Sequence, residues 1–317
     1  MRNPRTLDAM QFLSYDDVKS AITPAKAVEA LRQVLRSGYD PAEDQARTKV
    51  PLHHGEMHLL PSTLPHVAGV KIILLHPEGF DTDLPLIQGQ YLLADGETLT
   101  PHTLLDGAAL TTLRTPAVSL AGIRDFIVDG SDPINVVILG TGAQGRGHAE
   151  TVTSVLEGIR EVSIAFVSRN EPDDLGYTWL RSGSAEAAEA LKTADLVLCA
   201  TTAASPIVQL EDVSAHAVIV AVGSHTTDAR ELSADLVGAA HVIVEEPTAA
   251  LAEAGDITLA IEDGALSESD LVSMKDVVSG AIQLERDRPI VFKTVGMPWE
   301  DLVVAEAVWQ AHDSRGE

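Results

Sequence analysis

Cysteine is almost absent from this sequence, since Cys199 is the only one among its 317 residues. A single cysteine cannot form a disulfide within the chain, which agrees with a reducing compartment. Cys199 lies in an apolar run, residues 195–200, that is typical of a buried strand. Free cysteines in such runs are usually small core residues, so we expect packing rather than nucleophilic chemistry there.

Long apolar runs are also missing. No stretch approaches the roughly 18 apolar residues that a membrane-spanning helix needs. Residues 1–11 contain no apolar segment of the signal-peptide type. We therefore expect a cytoplasmic protein without a membrane partner.

Basic residues are scarce, with 22 lysines and arginines against 47 acidic residues and a formal charge of −25. A field of that sign repels phosphate backbones and anionic membranes, so nucleic acid is not an expected partner. An anionic substrate would need a local cluster of cations to overcome this field.

The first 125 residues predict one helix followed by an antiparallel sheet. The helix begins at Thr23-Pro24, a capping residue followed by proline, and ends at Gly38. Asp95-Gly96 between two apolar segments predicts a type I′ hairpin. A second helix is predicted from Asp106 to Leu120, with Pro116 bending or breaking it. Extended segments are predicted at residues 48–51, 57–60, 70–75 and 86–94.

From Ile134 onwards, apolar strands alternate with helical segments. This alternation predicts a parallel sheet covered on both faces. The turn-forming cluster at residues 129–133 indicates a boundary before it. Strands are predicted at residues 134–139, 162–167, 196–200, 218–222 and 242–244, and a helix at about 143–156.

A glycine-rich turn, residues 140–145, lies between the first of these strands and that helix and matches the G-x-G-x-x-G dinucleotide fingerprint. The first glycine permits the tight turn, the second lets a pyrophosphate approach the backbone, and the third lets the helix pack closely. Amides at the helix start then bind the phosphates. The predicted cofactor contacts in the turn are Gly140, Gly142, Ala143, Gln144 and Gly145.

These patterns predict an α/β fold with two domains, as expected for a chain of this length. A Rossmann dinucleotide-binding domain is placed at residues 126–298. An α+β domain with an antiparallel sheet is placed at residues 1–125, together with a C-terminal helix at about 299–317.

The end of the second Rossmann strand bears on the choice of cofactor. Ser168, Arg169 and Asn170 stand where NAD-binding domains usually carry a carboxylate for the ribose. Their donors suit a 2′-phosphate, which the planar fork of arginine matches. The sequence favours NADP(H) over NAD(H), and Glu171, one residue later, leaves NAD(H) as the alternative.

Short segments along nearly the whole chain together resemble the ornithine cyclodeaminase/mu-crystallin family. Besides the glycine turn they are Arg47, Glu56-Met57, Pro61, Val70-Lys71, residues 89–96, Leu99-Thr100, Leu113-Arg114-Thr115, Thr201-Thr202, Pro206, Val222-Gly223, Glu231-Leu232, residues 292–296 and Glu300-Asp301-Leu302.

The resemblance implies a homodimer formed through the first domain and a small amino- or imino-acid substrate held between the domains. It assigns the substrate α-carboxylate to Arg47, Lys71 and Arg114, which would be the local cations that the overall charge demands. Lys71 and Glu56 are candidate catalytic residues, because the resemblance implies that Lys71 polarises the imine and that Glu56 faces the substrate. Further implied cofactor contacts are Thr115, Thr201, Thr202, Val222, Gly223 and Lys293.

One position departs from the cyclodeaminases, in which an aspartate that handles the substrate amines stands two residues past the glycine of the fourth-strand motif. Here His225 occupies that place. A neutral imidazole binds an ammonium group poorly, whereas it can supply a proton to an imine nitrogen near neutral pH. The substitution favours imine reduction. Asp228, three residues later, could take over the aspartate's role, and His225 could also be a loop residue without a function.

Three histidines near Glu56, namely His53, His54 and His58, raise the question of a metal site. Their spacing does not match H-E-x-x-H, and the family needs no metal. We expect no metal.

The combined interpretation is an NAD(P)H-dependent reductase of cyclic or simple α-imino acids, for example Δ1-pyrroline-2-carboxylate. Three alternatives stay open. They are ornithine cyclodeaminase, alanine dehydrogenase, and a non-catalytic protein that binds NADPH and a small ligand.

Overall fold

The computed structural model describes residues 10–76, 85 and 87–316, and it divides into two compact units. Unit 1 comprises Met1–Leu31, Glu43–Arg114 and Met297–Glu317, and unit 2 comprises Arg32–Ala42 and Thr115–Gly296. The division falls after Arg114, and the domain limits given above remain a prediction. Within the described ranges no helix has the length and apolar character needed to span a membrane.

Unit 1 is built on a six-stranded sheet with the order β1-β6-β5-β4-β3-β2. The β1 strand runs parallel to β6, and every other neighbouring pair is antiparallel. The strands are β1 (Gln11–Leu13), β2 (Thr48–Leu52), β3 (Gly55–Leu64), β4 (Val67–Leu75), β5 (Ile87–Asp95) and β6 (Pro101–Asp106). The predicted antiparallel sheet is confirmed, and the predicted start of β5 at Leu86 lies outside the described residues.

Two helices cover one face of this sheet. They are α1 (Tyr15–Ala21) and α10 (Pro298–Gly316), which packs on β3, β4 and β5. Alternate residues of β3 are buried from His58 to Leu64, as expected for a strand with one covered face. The sequence analysis missed α1, although Ser14 and Asp17 form a capping box at its start.

The hairpin between β5 and β6 is correct, but its predicted two-residue type I′ turn is wrong. A five-residue loop joins the strands, and the positive φ that a type I′ turn requires of its central residues falls on Leu99, at 55°. The Asp95 carboxylate accepts hydrogen bonds from the amides of Glu97 and Thr98 and so organises the longer loop. Gly96 is needed because a Cβ there would lie 2.5 Å from Val67 N.

The chain passes between the units through α2 (Pro24–Arg36) and α3 (Gly107–Ile127). Pro116 does not break the second helix, because α3 runs on for eleven residues beyond that proline. A bend at Pro116 stays a prediction. Ala117, Val118 and Leu120 are fully buried. Their burial offsets the roughly 3 kcal/mol that an interior proline costs.

Unit 2 is built on an eight-stranded, wholly parallel sheet with the order β13-β12-β14-β11-β10-β7-β8-β9, which confirms the α/β interpretation. Its strands are β7 (Ile134–Leu139), β8 (Val162–Ser168), β9 (Thr178–Arg181), β10 (Leu196–Cys199), β11 (Val218–Ala221), β12 (His241–Val244), β13 (Leu271–Ser273) and β14 (Ile290–Lys293). The β9, β13 and β14 strands were not predicted.

Six further helices belong to unit 2. They are α4 (Ala143–Leu156), α5 (Ala185–Lys192), α6 (Ala234–Ala239), α7 (Pro247–Glu253), α8 (Gly255–Glu262) and α9 (Met274–Ser279). The loops that follow β7, β10, β11 and β14 lie at the carboxyl edge of adjacent parallel strands, where α/β sheets bind ligands. Cys199 is buried in this sheet, as predicted.

Candidate active site

The glycine turn of unit 2 has the geometry that its sequence predicts. Gly140 has a φ of +104°, and a Cβ there would lie 2.3 Å from Ala200 O. A Cβ on Gly145 would lie 2.1 Å from Gly140 O, so α4 packs directly on the turn. Both positions therefore require glycine, one for backbone conformation and one for close approach.

Gly142 differs from its two neighbours because nothing lies within 4 Å of its Cβ position. It caps the amino end of α4 without a side-chain hydrogen bond and is exposed together with Ala143. The side-chain oxygen of Gln144 is buried and has no hydrogen-bond donor among the described residues. An open cradle at a helix start beside an unused acceptor fits a dinucleotide diphosphate.

The loop after β8 contains the residues predicted for the ribose. Arg169 and Asn170 are exposed, so their side chains are available to a ligand. The Ser168 hydroxyl instead donates to Asn170 O at 2.7 Å and accepts from Trp179 Nε1 at 2.9 Å. Its proton is committed to the fold, so the expectation that Ser168 donates to a 2′-phosphate does not hold for this arrangement.

The loops after β10 and β11 are joined by a residue whose role the sequence analysis missed. The buried Glu231 carboxylate accepts hydrogen bonds from Thr201 N and from Gly223 N, at 2.8 and 2.7 Å. Burial raises the pKa of Glu231, and these donors act in the opposite direction. Thr202 is exposed and Val222 is half-buried in the same two loops.

Lys293 was predicted to contact the cofactor, but its side chain is completely buried. Its Nζ lies 3.1 Å from Asp256 Oδ2 and donates to Ser224 O at 2.5 Å. The prediction of a direct contact is therefore not supported by this geometry, since Lys293 supports the loop that follows β11 from beneath.

His225 and Asp228 lie in that same loop, and both are exposed. The imidazole Nδ1 of His225 is 3.4 Å from Gly223 O, a long contact that leaves the ring largely unconstrained. A hydrogen bond from Thr226 lowers the pKa of Asp228, which stays ionised. Both groups can therefore reach a ligand at the carboxyl edge of the sheet.

Thr115 lies in α3, where its carbonyl oxygen is 3.1 Å from Ser119 Oγ. Ser119 Oγ also lies 2.8 Å from Nε2 of His148, a buried residue of α4. Burial lowers the pKa of His148 to about 4, so the ring is neutral and its Nδ1–H donates to Gln144 O. Nε2 is then unprotonated and accepts the Ser119 hydroxyl proton, and this hydrogen bond joins α3, which carries Thr115, to the helix that carries the glycine turn.

In unit 1 the structure brings two of the three predicted substrate-binding cations together. Lys71 Nζ donates to Asp301 Oδ1 at 3.0 Å, and Arg114 Nε donates to the same oxygen at 3.1 Å. Arg114 Nη1 donates to Glu300 Oε2 at 3.0 Å. We call Lys71, Arg114, Glu300 and Asp301 the cation cluster; all four side chains are buried.

The cation cluster lowers the pKa of its lysine, Lys71, from the ordinary value of 10.5. Burial is the main cause that lowers the pKa of Lys71 to about 8, and the nearby Arg114 adds to it. The Asp301 carboxylate acts in the opposite direction and favours the charged amine. Two cations and two carboxylates give the cluster no net charge when Lys71 is protonated.

The remaining predicted residues of unit 1 are Arg47 and Glu56. Arg47 immediately precedes β2 and is half-buried. Glu56 is exposed on β3, on the same sheet face as Leu60, the residue paired with Lys71. Its Oε2 lies 3.0 Å from His58 Nε2.

The histidines near Glu56 do not form a metal site in the part of the chain that the structure describes, where no three possible metal-binding side chains cluster. His53 and His54 stack edge to face, with ring centroids 4.7 Å apart. The expected absence of a metal remains a prediction.

Glu231, Glu300 and Asp301 are the functional residues that sequence reasoning did not interpret. All three lie in segments that carry the family resemblance, which was the available signal. Arg114 lies 187 residues from Asp301 and 186 from Glu300, so spacing alone could not reveal these pairs. Gly223 and Thr201 lie 8 and 30 residues from Glu231.

A family model for the ornithine cyclodeaminase/mu-crystallin family matches residues 9–316. The chain belongs to this family. It is 31% identical to Δ1-pyrroline-2-carboxylate reductase 2 of Burkholderia ambifaria over 287 residues, 85% of each chain. It is 30% identical to the ketimine reductase mu-crystallin of Mus musculus, covering 96% of this chain and 98% of that one.

A solved structure resembles the whole chain. It is Thermococcus litoralis Δ1-pyrroline-2-carboxylate reductase in complex with NADH and L-proline, with a TM-score of 0.82 and 25% sequence identity. The match covers 97% of this chain and 98% of that one. The fold class and the membership of the family are thereby confirmed.

Proposed function

We propose that this protein is an NAD(P)H-dependent reductase of cyclic or simple α-imino acids, of the Δ1-pyrroline-2-carboxylate or ketimine type. The observation that carries the proposal is the buried Lys71–Arg114 pair in a family member whose 30–31% identical relatives are named as such reductases. A buried pair of cations that share one carboxylate oxygen has a clear use in binding a substrate anion.

Reduction of the C=N bond adds a hydride to the substrate C2 and a proton to the imine nitrogen. The bound nicotinamide supplies the hydride. The residues that would hold it are the exposed amino end of α4 at Gly142 and Ala143 and the loops at Thr201 and Gly223. Arg169 and Asn170 support NADP(H) over NAD(H). Both are exposed after β8, and residues 168–170 include no carboxylate that would bind the ribose hydroxyls of NAD(H).

Lys71 and Arg114 would orient the substrate carboxylate, with Arg47 as a third cation. Because Glu300 and Asp301 already neutralise two of these charges, the site suits a monocarboxylate better than a dicarboxylate. Positioning by these side chains supplies much of the rate acceleration in such a reaction.

His225 is the proposed proton donor for the imine nitrogen, directly or through water. Its exposed and weakly held ring supports the proposal. An imidazole can deliver a proton near neutral pH, whereas it gives little attraction to the side-chain ammonium of ornithine.

Ornithine cyclodeaminase is the second candidate, and Asp228 is the observation that favours it. This exposed carboxylate lies three residues from His225, and its lowered pKa keeps it charged. It could therefore bind the distal ammonium of ornithine if the loop places it toward the substrate.

One experiment separates these functions. The purified protein is incubated with NADPH and freshly prepared pyrroline-2-carboxylate or piperideine-2-carboxylate, and separately with NAD and ornithine or alanine. We expect consumption of NADPH with the imines. Proline and ammonia from ornithine would establish the cyclodeaminase instead, NADH formation with alanine would indicate the dehydrogenase, and binding of NADPH without turnover would leave a binding protein.

We also propose a homodimer formed through the uncovered face of the unit 1 sheet, opposite α10. Strand register aligns one apolar residue from each of five neighbouring strands across that face, and none of them is buried. They are Phe12, Leu104, Leu92, Val70 and Pro61. Sedimentation equilibrium would test the proposal, and replacement of Val70 by aspartate should produce monomers.

A further inference from the structure

The loops after β10 and β11 are held at a fixed spacing by one carboxylate. Glu231 Oε1 accepts hydrogen bonds from Thr201 N at 2.8 Å and from Thr201 Oγ1 at 2.7 Å, while Oε2 accepts from Gly223 N at 2.7 Å. Cys199 and Ala221 pair across the two strands, so Thr201 and Gly223 stand at equivalent places two residues beyond. The side chain therefore connects two neighbouring loops at the carboxyl edge.

The loops approach so closely that only glycine fits at position 223. A Cβ there would lie 2.0 Å from Thr201 O and 2.6 Å from Glu231 Oε1. Because charge-assisted hydrogen bonds are stronger than neutral ones, the carboxylate can hold this close contact without help from side-chain packing.

The backbone of Glu231 is itself fixed by a second buried carboxylate. Asp256 Oδ1 accepts hydrogen bonds from Glu231 N and Leu232 N, at 2.7 and 2.9 Å. Lys293 Nζ lies 3.1 Å from Asp256 Oδ2 and also donates to Ser224 O, which returns the chain of contacts to the loop after β11. Glu231, Asp256 and Lys293 are each completely buried.

We propose that Glu231 is a positioning residue for the nicotinamide cofactor. It sets the spacing of the loops at Thr201 and Gly223, and Asp256 and Lys293 hold it in place. The inference rests on the proposed function for the identity of the cofactor. Glu231 does not bind the cofactor itself, because the residue is completely buried and its carboxylate already accepts three hydrogen bonds from the two loops.

The test compares the full-length wild type with Glu231→Gln. Glutamine keeps the size but has one acceptor oxygen, and its amide nitrogen would face a protein donor, so one loop is released. We expect the dissociation constant for NADPH, measured by fluorescence titration, to rise at least about tenfold. Amide hydrogen exchange without cofactor should show lost protection at the amide of the released loop, either Thr201 or Gly223, whichever faces the nitrogen of the glutamine.

Glu246→Gln is the matched control. Glu246 is a similarly buried carboxylate of unit 2 whose Oε2 accepts a hydrogen bond from Ala249 N, in α7, and from neither loop. It should lower thermal stability yet leave the dissociation constant for NADPH within about twofold of the wild type.

An unchanged dissociation constant in Glu231→Gln would overturn the inference. Should that variant not fold, Glu231→Asp takes its place, since its shorter carboxylate cannot reach both loops, and wild-type affinity there would overturn the inference equally. A wild type that binds NADPH but reduces no imine would refute only the proposed function. The role of Glu231 would still be tested, because the NADPH dissociation constants of Glu231→Gln and the wild type can be compared without turnover.

Discussion

Two regions of the molecule are built in different ways. One is the cation cluster of unit 1, and the other comprises the glycine turn and the loops at Thr201 and Gly223 of unit 2, which we call the cofactor loops because we propose that they hold the cofactor. The cofactor loops depend on backbone amides, on glycines at close contacts, and on a carboxylate that binds main-chain N–H groups. The cation cluster depends on four charged side chains that pair with each other out of water. The close contacts of the backbone site tolerate no added atoms, whereas a paired-charge site fails when one partner is removed.

Replacement of Gly145 by alanine should have the largest effect. The new Cβ would lie 2.1 Å from Gly140 O, so α4 must move away from the turn. We expect NADPH binding to fall more than a hundredfold and the melting temperature to fall by several degrees. Fluorescence titration and calorimetry measure the two effects.

Gly142→Ala is the control for that prediction. Its Cβ meets nothing in the protein, so the melting temperature should stay unchanged while a methyl group obstructs the diphosphate. Equal loss of stability in Gly142→Ala and Gly145→Ala would contradict the separate roles given to these glycines, one in phosphate approach and the other in packing of α4.

Replacement of Asp301 by asparagine should show the opposite behaviour in unit 1. The change adds no atoms, but Lys71 and Arg114 lose the anionic oxygen that they share. Removal of one partner from a buried ion pair costs about 3 kcal/mol or more of unfolding free energy. Urea denaturation measures this loss.

Glu306→Gln tests whether burial of the ion pairs is the reason for the loss of stability expected in Asp301→Asn. Glu306 lies on the same helix and pairs with His66 at 2.8 Å, but the side chain of His66 is largely exposed. The Glu306 side chain is 12% exposed but its partner is in contact with water, so this variant should lose clearly less stability than Asp301→Asn, in which all partners are buried. Similar losses in both variants would contradict the role given to the buried cluster.

The difference between the two regions also explains what the sequence could reveal. The glycine turn lies within six consecutive residues, and the contacts that demand each glycine are local, so the motif predicted the geometry. The partners of Lys71 lie 230 residues away on α10, and neither spacing nor periodicity connects them. Lys293 was assigned to the cofactor because its segment resembles the family, whereas its burial beneath Ser224 depends on tertiary packing.

The fold shows the same limit. The long strands and α4 were predicted from the periodicity of their apolar residues. The four-residue strand β14 lies between β11 and β12 in the sheet, and it is recognised as a strand only by its pairing with them. The hairpin at Asp95 was placed correctly, but its loop conformation depends on the approach of Gly96 to Val67 on the neighbouring strand.

The cation cluster should further give the reductase an alkaline limit. In the proposed reaction the charged form of Lys71 binds the substrate carboxylate. This form is present below the Lys71 pKa of about 8 and is lost as the pH rises through that value. We expect kcat/KM for the imine to decrease above about pH 8. Because Asp301 favours the charged amine, this decrease should begin at lower pH in Asp301→Asn.

At each pH, kcat/KM of Asp301→Asn is divided by kcat/KM of the wild type, and this ratio cancels any ionisation of the substrate. A ratio that stays constant from pH 6 to 9 would show that Lys71 does not titrate in binding, and the charge pairing would then matter only for stability.

The smallest effect is expected where unit 2 does use an exposed side chain. Arg169→Ala removes an exposed guanidinium immediately after β8, so the change should not affect the packing of the fold. NADPH should bind about tenfold more weakly while NADH is affected little, because only NADPH carries the 2′-phosphate. Arg288→Ala, an exposed arginine that precedes β14 at the opposite edge of the sheet, should change neither affinity. Equal weakening of both cofactors by Arg169→Ala would place the guanidinium on a group that they share, such as the adenine, and the preference for NADP(H) would lose its support.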